Sequence, residues 1–206
     1  SNNKNFFMVK YECYEVLEMN LANKLTLSRF VIIPIMVIIV YIQPLDDPIG
    51  FLGLSIEQFV ISILFFVSAF TDYLDGYIAR KTNTITIFGK FLDPIADKAL
   101  VLTALTYLLY LGDMPYWVIV VIFLREFIVS GLRLVAVESK KVIAAGSLGK
   151  QKTAWTMFAI MFFLLNLDQF SLFASQLLIF IFVSLTVLSG LEYMYHHKTL
   201  FKNSFK

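Results

Sequence analysis

TDYLDGYIARKTNTITIFGKFLDPIADK, Thr71 to Lys98, decides how the rest of this sequence is read. It lies between two strongly apolar stretches and holds four aspartates, Asp72, Asp75, Asp93 and Asp97. Around it the chain is 59% hydrophobic and only 16% charged, with 21 phenylalanines among 206 residues. That composition is far more apolar than an ordinary soluble domain of this size and points to a protein embedded in lipid. The single cysteine, Cys13, excludes an intrachain disulfide and a cysteine-based metal site, so any metal must take oxygen ligands. A net charge of +2, with basic residues scattered over short connections, gives no stripe for nucleic acid.

Hydropathy outward from the aspartate segment predicts an all-α integral membrane protein. Six spans fall at about residues 25–43, 54–75, 92–111, 115–136, 153–168 and 172–195, each near the ~20 residues that cross a bilayer core. The connections IQPLDDPIGFLGL (42–54), LGDMP (111–115) and NLDQFSL (166–172) contain no Lys or Arg. The opposite side carries Lys24 and Arg29, then Arg80, Lys81 and Lys90, then Lys140, Lys141, Lys150 and Lys152, and finally Lys198, Lys202 and Lys206. The positive-inside rule therefore places both termini and the second and fourth connections in the cytoplasm, in agreement with an even number of spans. Residues 1–18 have no long apolar run and no small-residue cleavage site, so they read as an N-terminal extension to a single membrane domain, 19–206.

Asp72 and Asp75 are three residues apart and Asp93 and Asp97 four apart, so each pair shares one face of its helix. Both pairs sit near the cytoplasmic ends of adjacent helices joined by a short loop, and can meet. Asp93 before Pro94 also has the form of a helix N-cap followed by proline at the first helical position. That accounts for one aspartate of four. An aspartate at the bilayer centre costs about 2.5–3.5 kcal/mol, and clustered carboxylates repel, so the group calls for a cation or a watery cavity. Carboxylates without sulfur or imidazole suit Mg²⁺ or Mn²⁺, as a two-metal site. Gly76 and Ala79 leave space beside them, and Arg80 offers a planar cation suited to phosphate.

The run D-Y-L-D-G-Y-I-A-R, eight further residues, and G-K-F-L-D-P-I-A-D resembles the signature of the CDP-alcohol phosphatidyltransferase family at every defined position. Asp72, Asp75, Gly76, Ala79, Arg80, Gly89, Asp93 and Asp97 carry the match. The resemblance implies a six-helix membrane enzyme, expected to be a homodimer, that moves a phosphatidyl group from a CDP-linked lipid to an alcohol and releases CMP. It implies metal held by Asp72, Asp75, Asp93 and Asp97, with Asp97 as the base and Asp93 beside it in catalysis. NLANKLTLSRF opens the first span with Asn23, Thr26 and Arg29 at three-residue spacing, which alone reads equally as capping. Similar openings in the family hold the cytidine nucleotide, so the nucleotide set becomes Asn23, Thr26, Arg29, Asp72, Gly76, Ala79 and Arg80.

LREFIVSGLRLVAVESKKVIAAGSLGKQKTAW supplies the last clue. Arg125 and Glu126 fall well inside the fourth span, and an arginine at that depth faces a polar cavity or a partner. With Arg133, Lys150 and Lys152, Arg125 forms a cationic set that favours an acceptor bearing its own phosphate. The strings R-E-F-x-V-x-G-L-R and G-K-x-K-T-A are similar to the phosphatidylglycerophosphate synthase branch of the family, which implies CDP-diacylglycerol as donor and sn-glycerol 3-phosphate as acceptor. Inositol phosphate, inositol or serine would use the same core, and a cation channel or transporter is the rival from another class. His196 and His197, adjacent on the last helix, point in different directions and read as interfacial, while Tyr193 and Tyr195 read as part of an aromatic belt.

Overall fold

The computed structural model describes the backbone of residues 21–42, 48–49, 53–82, 87–138 and 147–196, and the side chains of 26–42, 53–72, 92–133, 148–149 and 151–196. Among the described residues six helices carry the fold: α1 Leu21–Ile39, α2 Ile56–Thr82, α3 Ile87–Leu111, α4 Tyr116–Glu138, α5 Ser147–Leu164 and α6 Leu172–His196. Each overlaps one of the six expected apolar stretches, although α1 and α5 stop about four residues short of the expected ends. A short antiparallel pair, β1 Pro48–Ile49 with β2 Leu54–Ser55, sits in the first connection. Leu167–Phe170 forms a 3-10 turn between α5 and α6.

Two boundaries differ from the hydropathy reading in ways that matter for the site. Helix α2 runs on to Thr82, so one helix carries Asp72, Asp75, Gly76, Ala79 and Arg80. Helix α3 begins at Ile87, which places Asp93 and Pro94 inside it and removes the N-cap reading of Asp93. Hydropathy stops where charges begin, whereas helix hydrogen bonding continues through them. The other end of α3 is closed by Gly112 at φ +88°, where the Asp113 amide donates to the Leu108 carbonyl over 3.0 Å. Only a residue without Cβ takes that left-handed conformation cheaply. Asn166, at φ 53°, makes the corresponding turn after α5, and its side-chain oxygen accepts from Gln58 Nε2 over 2.8 Å.

Helix α1 packs against α2 and α3, while α6 packs against α4 and α5. Phe65, Leu105, Ile122, Phe163 and Phe182 lie in the apolar centre of the bundle. The outside is apolar as well: Phe66, Phe70, Phe127 and Phe180 are all exposed. Helices that are apolar all round, with small polar residues buried between them, are suited to lipid rather than water. Ser62, Thr103, Thr156 and Thr186 each donate to the carbonyl four residues earlier, and Ser62 also reaches the Leu164 carbonyl across to α5 at 3.0 Å. No donor is then left exposed to hydrocarbon by these residues. Among the described residues, Leu92–Leu111 and Leu172–His196 are long and apolar enough to cross a membrane by length and composition.

Candidate active site

The site starts from one cation. Arg29, on α1, is fully buried, and a buried guanidinium is stable only when paired. Helix packing provides the partners. Its Nη1 donates to Asp72 Oδ1 on α2 over 2.8 Å and also to Asp97 Oδ1 on α3, while Nη2 lies 3.8 Å from Asp93 Oδ1. Thr26, one turn earlier on α1, donates its hydroxyl proton to the same Asp93 oxygen. Three helices are thus tied together by three carboxylates around one planar fork. The three aspartates stay partly exposed, at 36%, 46% and 39% for the side chains of Asp72, Asp93 and Asp97.

That exposure faces a cavity of about 370 Å³, with Asp72, Asp93 and Asp97 on one wall. Lys98, Arg125, Arg133 and Lys152 line the same space. The cationic wall is internally braced. Arg125 donates to Glu126 Oε1 and, through Nη2, to Ser189 Oγ, each over 2.9 Å. Lys152, almost fully buried, donates to the same Glu126 oxygen. Lys98 donates to Ser130, whose own hydroxyl proton goes to the Glu126 carbonyl. The Arg133 guanidinium stands 5.8 Å from the centre of the Tyr193 ring.

Thr26, Arg29, Asp72, Asp93, Asp97, Arg125, Arg133 and Lys152 therefore gather at one place. Thr26 and Arg29, expected on the nucleotide, contact the carboxylates. The backbone positions of Asn23, Asp75, Gly76, Ala79, Arg80, Gly89 and Lys150 fall on helices, those of Gly76, Ala79, Arg80, Gly89 and Lys150 where hydropathy had placed connections, but their side chains lie outside the described set, while Lys140, Lys141 and His197 lie outside the described residues altogether. Tyr193 is a correction. It is buried beneath Arg133, so it does not belong to an aromatic belt, whereas Tyr195 and His196 are exposed. Sequence reading gave no role to Lys98, Glu126 or Ser189. Lys98 follows Asp97 directly, and Glu126 is an acid inside a span, which was the available signal. Nothing in the local sequence marks Ser189.

Among the described residues, no three acidic or histidine side chains enclose a metal site by themselves. The donor chemistry nevertheless fits a hard divalent cation. Asp72, Asp93 and Asp97 offer only carboxylate oxygens, already converge on a positive group, and open onto a polar cavity.

Residues 19–188 match the profile of a family described as CDP-alcohol phosphatidyltransferase. The chain is 43% identical over 180 residues to a protein of Bacillus subtilis (strain 168), covering 84% of this chain and 93% of that protein. It is 37% identical over 180 residues to one of Rickettsia bellii (strain RML369-C), with the same two coverages, 84% and 93%. A protein of Rickettsia prowazekii (strain Madrid E) is 33% identical over 189 residues, covering 90% of this chain and 99% of that protein. All three bear the name CDP-diacylglycerol–glycerol-3-phosphate 3-phosphatidyltransferase.

Proposed function

The chain belongs to the CDP-alcohol phosphatidyltransferase family, and on that premise we propose that it transfers the phosphatidyl group of CDP-diacylglycerol to sn-glycerol 3-phosphate, giving phosphatidylglycerophosphate and CMP. One observation carries the reading: a single cavity has aspartates on one wall and Arg125, Arg133 and Lys152 on another. Carboxylates suit a metal-bound diphosphate and a hydroxyl proton, while fixed cations suit the phosphate of the acceptor. The names of the three relatives support the same donor and acceptor.

In this mechanism the acceptor hydroxyl oxygen attacks the lipid-side phosphorus of the diphosphate. The new P–O bond forms as the bond to CMP breaks, CMP leaves with the electron pair, and Asp97 takes the hydroxyl proton. Asp93 stands beside it, held by Thr26 and Arg29. Asp72, Asp75, Asp93 and Asp97 would hold the divalent metal, Mg²⁺ or Mn²⁺ and as two ions. Metal held there would supply positive charge against the diphosphate and against the charge that develops on departing CMP. Asn23, Thr26, Arg29, Asp72, Gly76, Ala79 and Arg80 form the nucleotide side. Arg125, Arg133, Lys150 and Lys152 hold the acceptor's phosphate.

The same reading has six spans with both ends in the cytoplasm of a bacterial cell, the active site facing that side, and residues 19–206 as one membrane domain. Charge placement supports it: all the basic clusters fall on one side of the predicted spans. Family resemblance supports a homodimer, which crosslinking in native membranes would detect.

The test is CMP release by purified protein given CDP-diacylglycerol and Mg²⁺ or Mn²⁺, across glycerol 3-phosphate, inositol phosphate, inositol and serine. Release with glycerol 3-phosphate alone is expected. Release with a different acceptor would keep the chemistry and overturn the acceptor assignment.

A further inference from the structure

Helix α6 carries no residue of the proposed chemistry, yet it supplies what holds two of the cations. Ser189, Gly190 and Tyr193 lie on one face of that helix and all three are buried. Ser189 donates its hydroxyl proton to the Thr186 carbonyl over 3.0 Å, so an oxygen lone pair is left to accept from Arg125 Nη2. Gly190 makes room for the stem of the same arginine: a Cβ at Gly190 would come within 3.2 Å of Arg125 Cγ. One turn on, the Tyr193 ring lies under Arg133. The family match ends at residue 188, so all three lie beyond it.

We infer that Ser189, Gly190 and Tyr193 form a positioning face that fixes Arg125 and Arg133 and thereby tunes the enzyme for a phosphate-bearing acceptor over a neutral alcohol. This rests on the reading that those arginines meet the acceptor's phosphate. The two arginines lie eight residues apart on α4, and long side chains on one helix have many rotamers. Fixing them in advance removes the ordering cost that the acceptor would otherwise meet on binding. Glu126 braces Arg125 from its own helix at Nη1, and Ser189 completes the fork from the opposite helix at Nη2.

The test is steady-state kinetics in detergent or nanodiscs, measuring kcat and the KM for glycerol 3-phosphate and for CDP-diacylglycerol separately. Ser189→Ala, Gly190→Val and Tyr193→Leu are each expected to raise the acceptor KM about fivefold to tenfold, by loss of a charged hydrogen bond, of space or of the ring face. The donor KM is expected to stay within about twofold, since the donor meets the other wall. Ser189→Thr and Tyr193→Phe, which keep the hydroxyl acceptor and the ring, are expected to restore the acceptor KM. Arg125→Ala is the reference, and adding Ser189→Ala to it is expected to change nothing further. If Arg125→Ala raises the acceptor KM but the α6 variants do not, the positioning role is overturned and the acceptor site stands. If Arg125→Ala itself leaves the acceptor KM unchanged, the acceptor site is wrong and the positioning role falls with it. Equal rises in both KM values would show general loosening of the fold and would also overturn the inference.

Discussion

At Arg29 one guanidinium meets Asp72, Asp93 and Asp97, and the different contacts of those carboxylates give them different expected roles. Asp97→Asn is expected to abolish turnover while leaving CDP binding closer to normal than Asp72→Asn does, measured by calorimetry with CDP and Mg²⁺. Equal loss of binding in both variants would contradict the division. A second residue-level prediction concerns Asp113, in the connection between α3 and α4. Burial, assisted by the nearby charge of Asp168, pushes its carboxyl from 3.8 up to about 6. A raised carboxyl favours the protonated folded state, so its contribution is fully present below about pH 4 and is lost as pH rises through about 6. Asp113→Asn should therefore melt higher than the parent at pH 7.5, with the difference closing towards pH 4. The aspartates were legible because spacing along one helix predicts a shared face. The grip of Arg29 on them was not, because it depends on how closely α1 approaches α2 and α3.

For the helices, the apolar stretches foretold roughly where the six among the described residues lie, but not where the site helices end. Helix α2 runs to Thr82 and α3 starts at Ile87 because charged residues take helical hydrogen bonds as readily as apolar ones. Pro94 read as a helix start, yet it sits inside α3, as proline can in helices whose neighbours or waters satisfy the carbonyl it leaves unbonded. The bracing of α4 by α6 was also hidden, since Ser189 and Tyr193 resemble ordinary residues of an apolar helix until the packing is seen. The distinction between inner and outer faces gives a prediction of its own. Phe163, 1% exposed, should cost about 3–5 kcal/mol when replaced by Ala, whereas Phe180, 70% exposed, should cost far less because lipid fills the space. Thermal unfolding of both variants in the same detergent checks this, and equal losses would contradict the assigned faces.

Over the whole molecule, charge asymmetry and the site agree on a direction. Asp72, Asp93, Asp97, Arg133 and Lys152 lie in the halves of their helices nearer the basic residues Arg80, Lys81, Lys90, Lys140 and Lys141 along the chain, while Gly112 and Asp113 follow the other end of α3. Cys13 should be labelled by an impermeant thiol reagent only after cells are opened, and a cysteine introduced as Asp113→Cys should be labelled in intact cells. The reverse pattern would invert the topology. The central claim, that the two walls of one cavity join two substrates, is tested most directly by product stoichiometry. Purified protein would be given CDP-diacylglycerol, labelled glycerol 3-phosphate and Mg²⁺, and CMP would be counted against labelled lipid. The account predicts one phosphatidylglycerophosphate for each CMP, with both abolished in Asp97→Asn. CMP released without labelled lipid, or full lipid synthesis by Asp97→Asn, would contradict it.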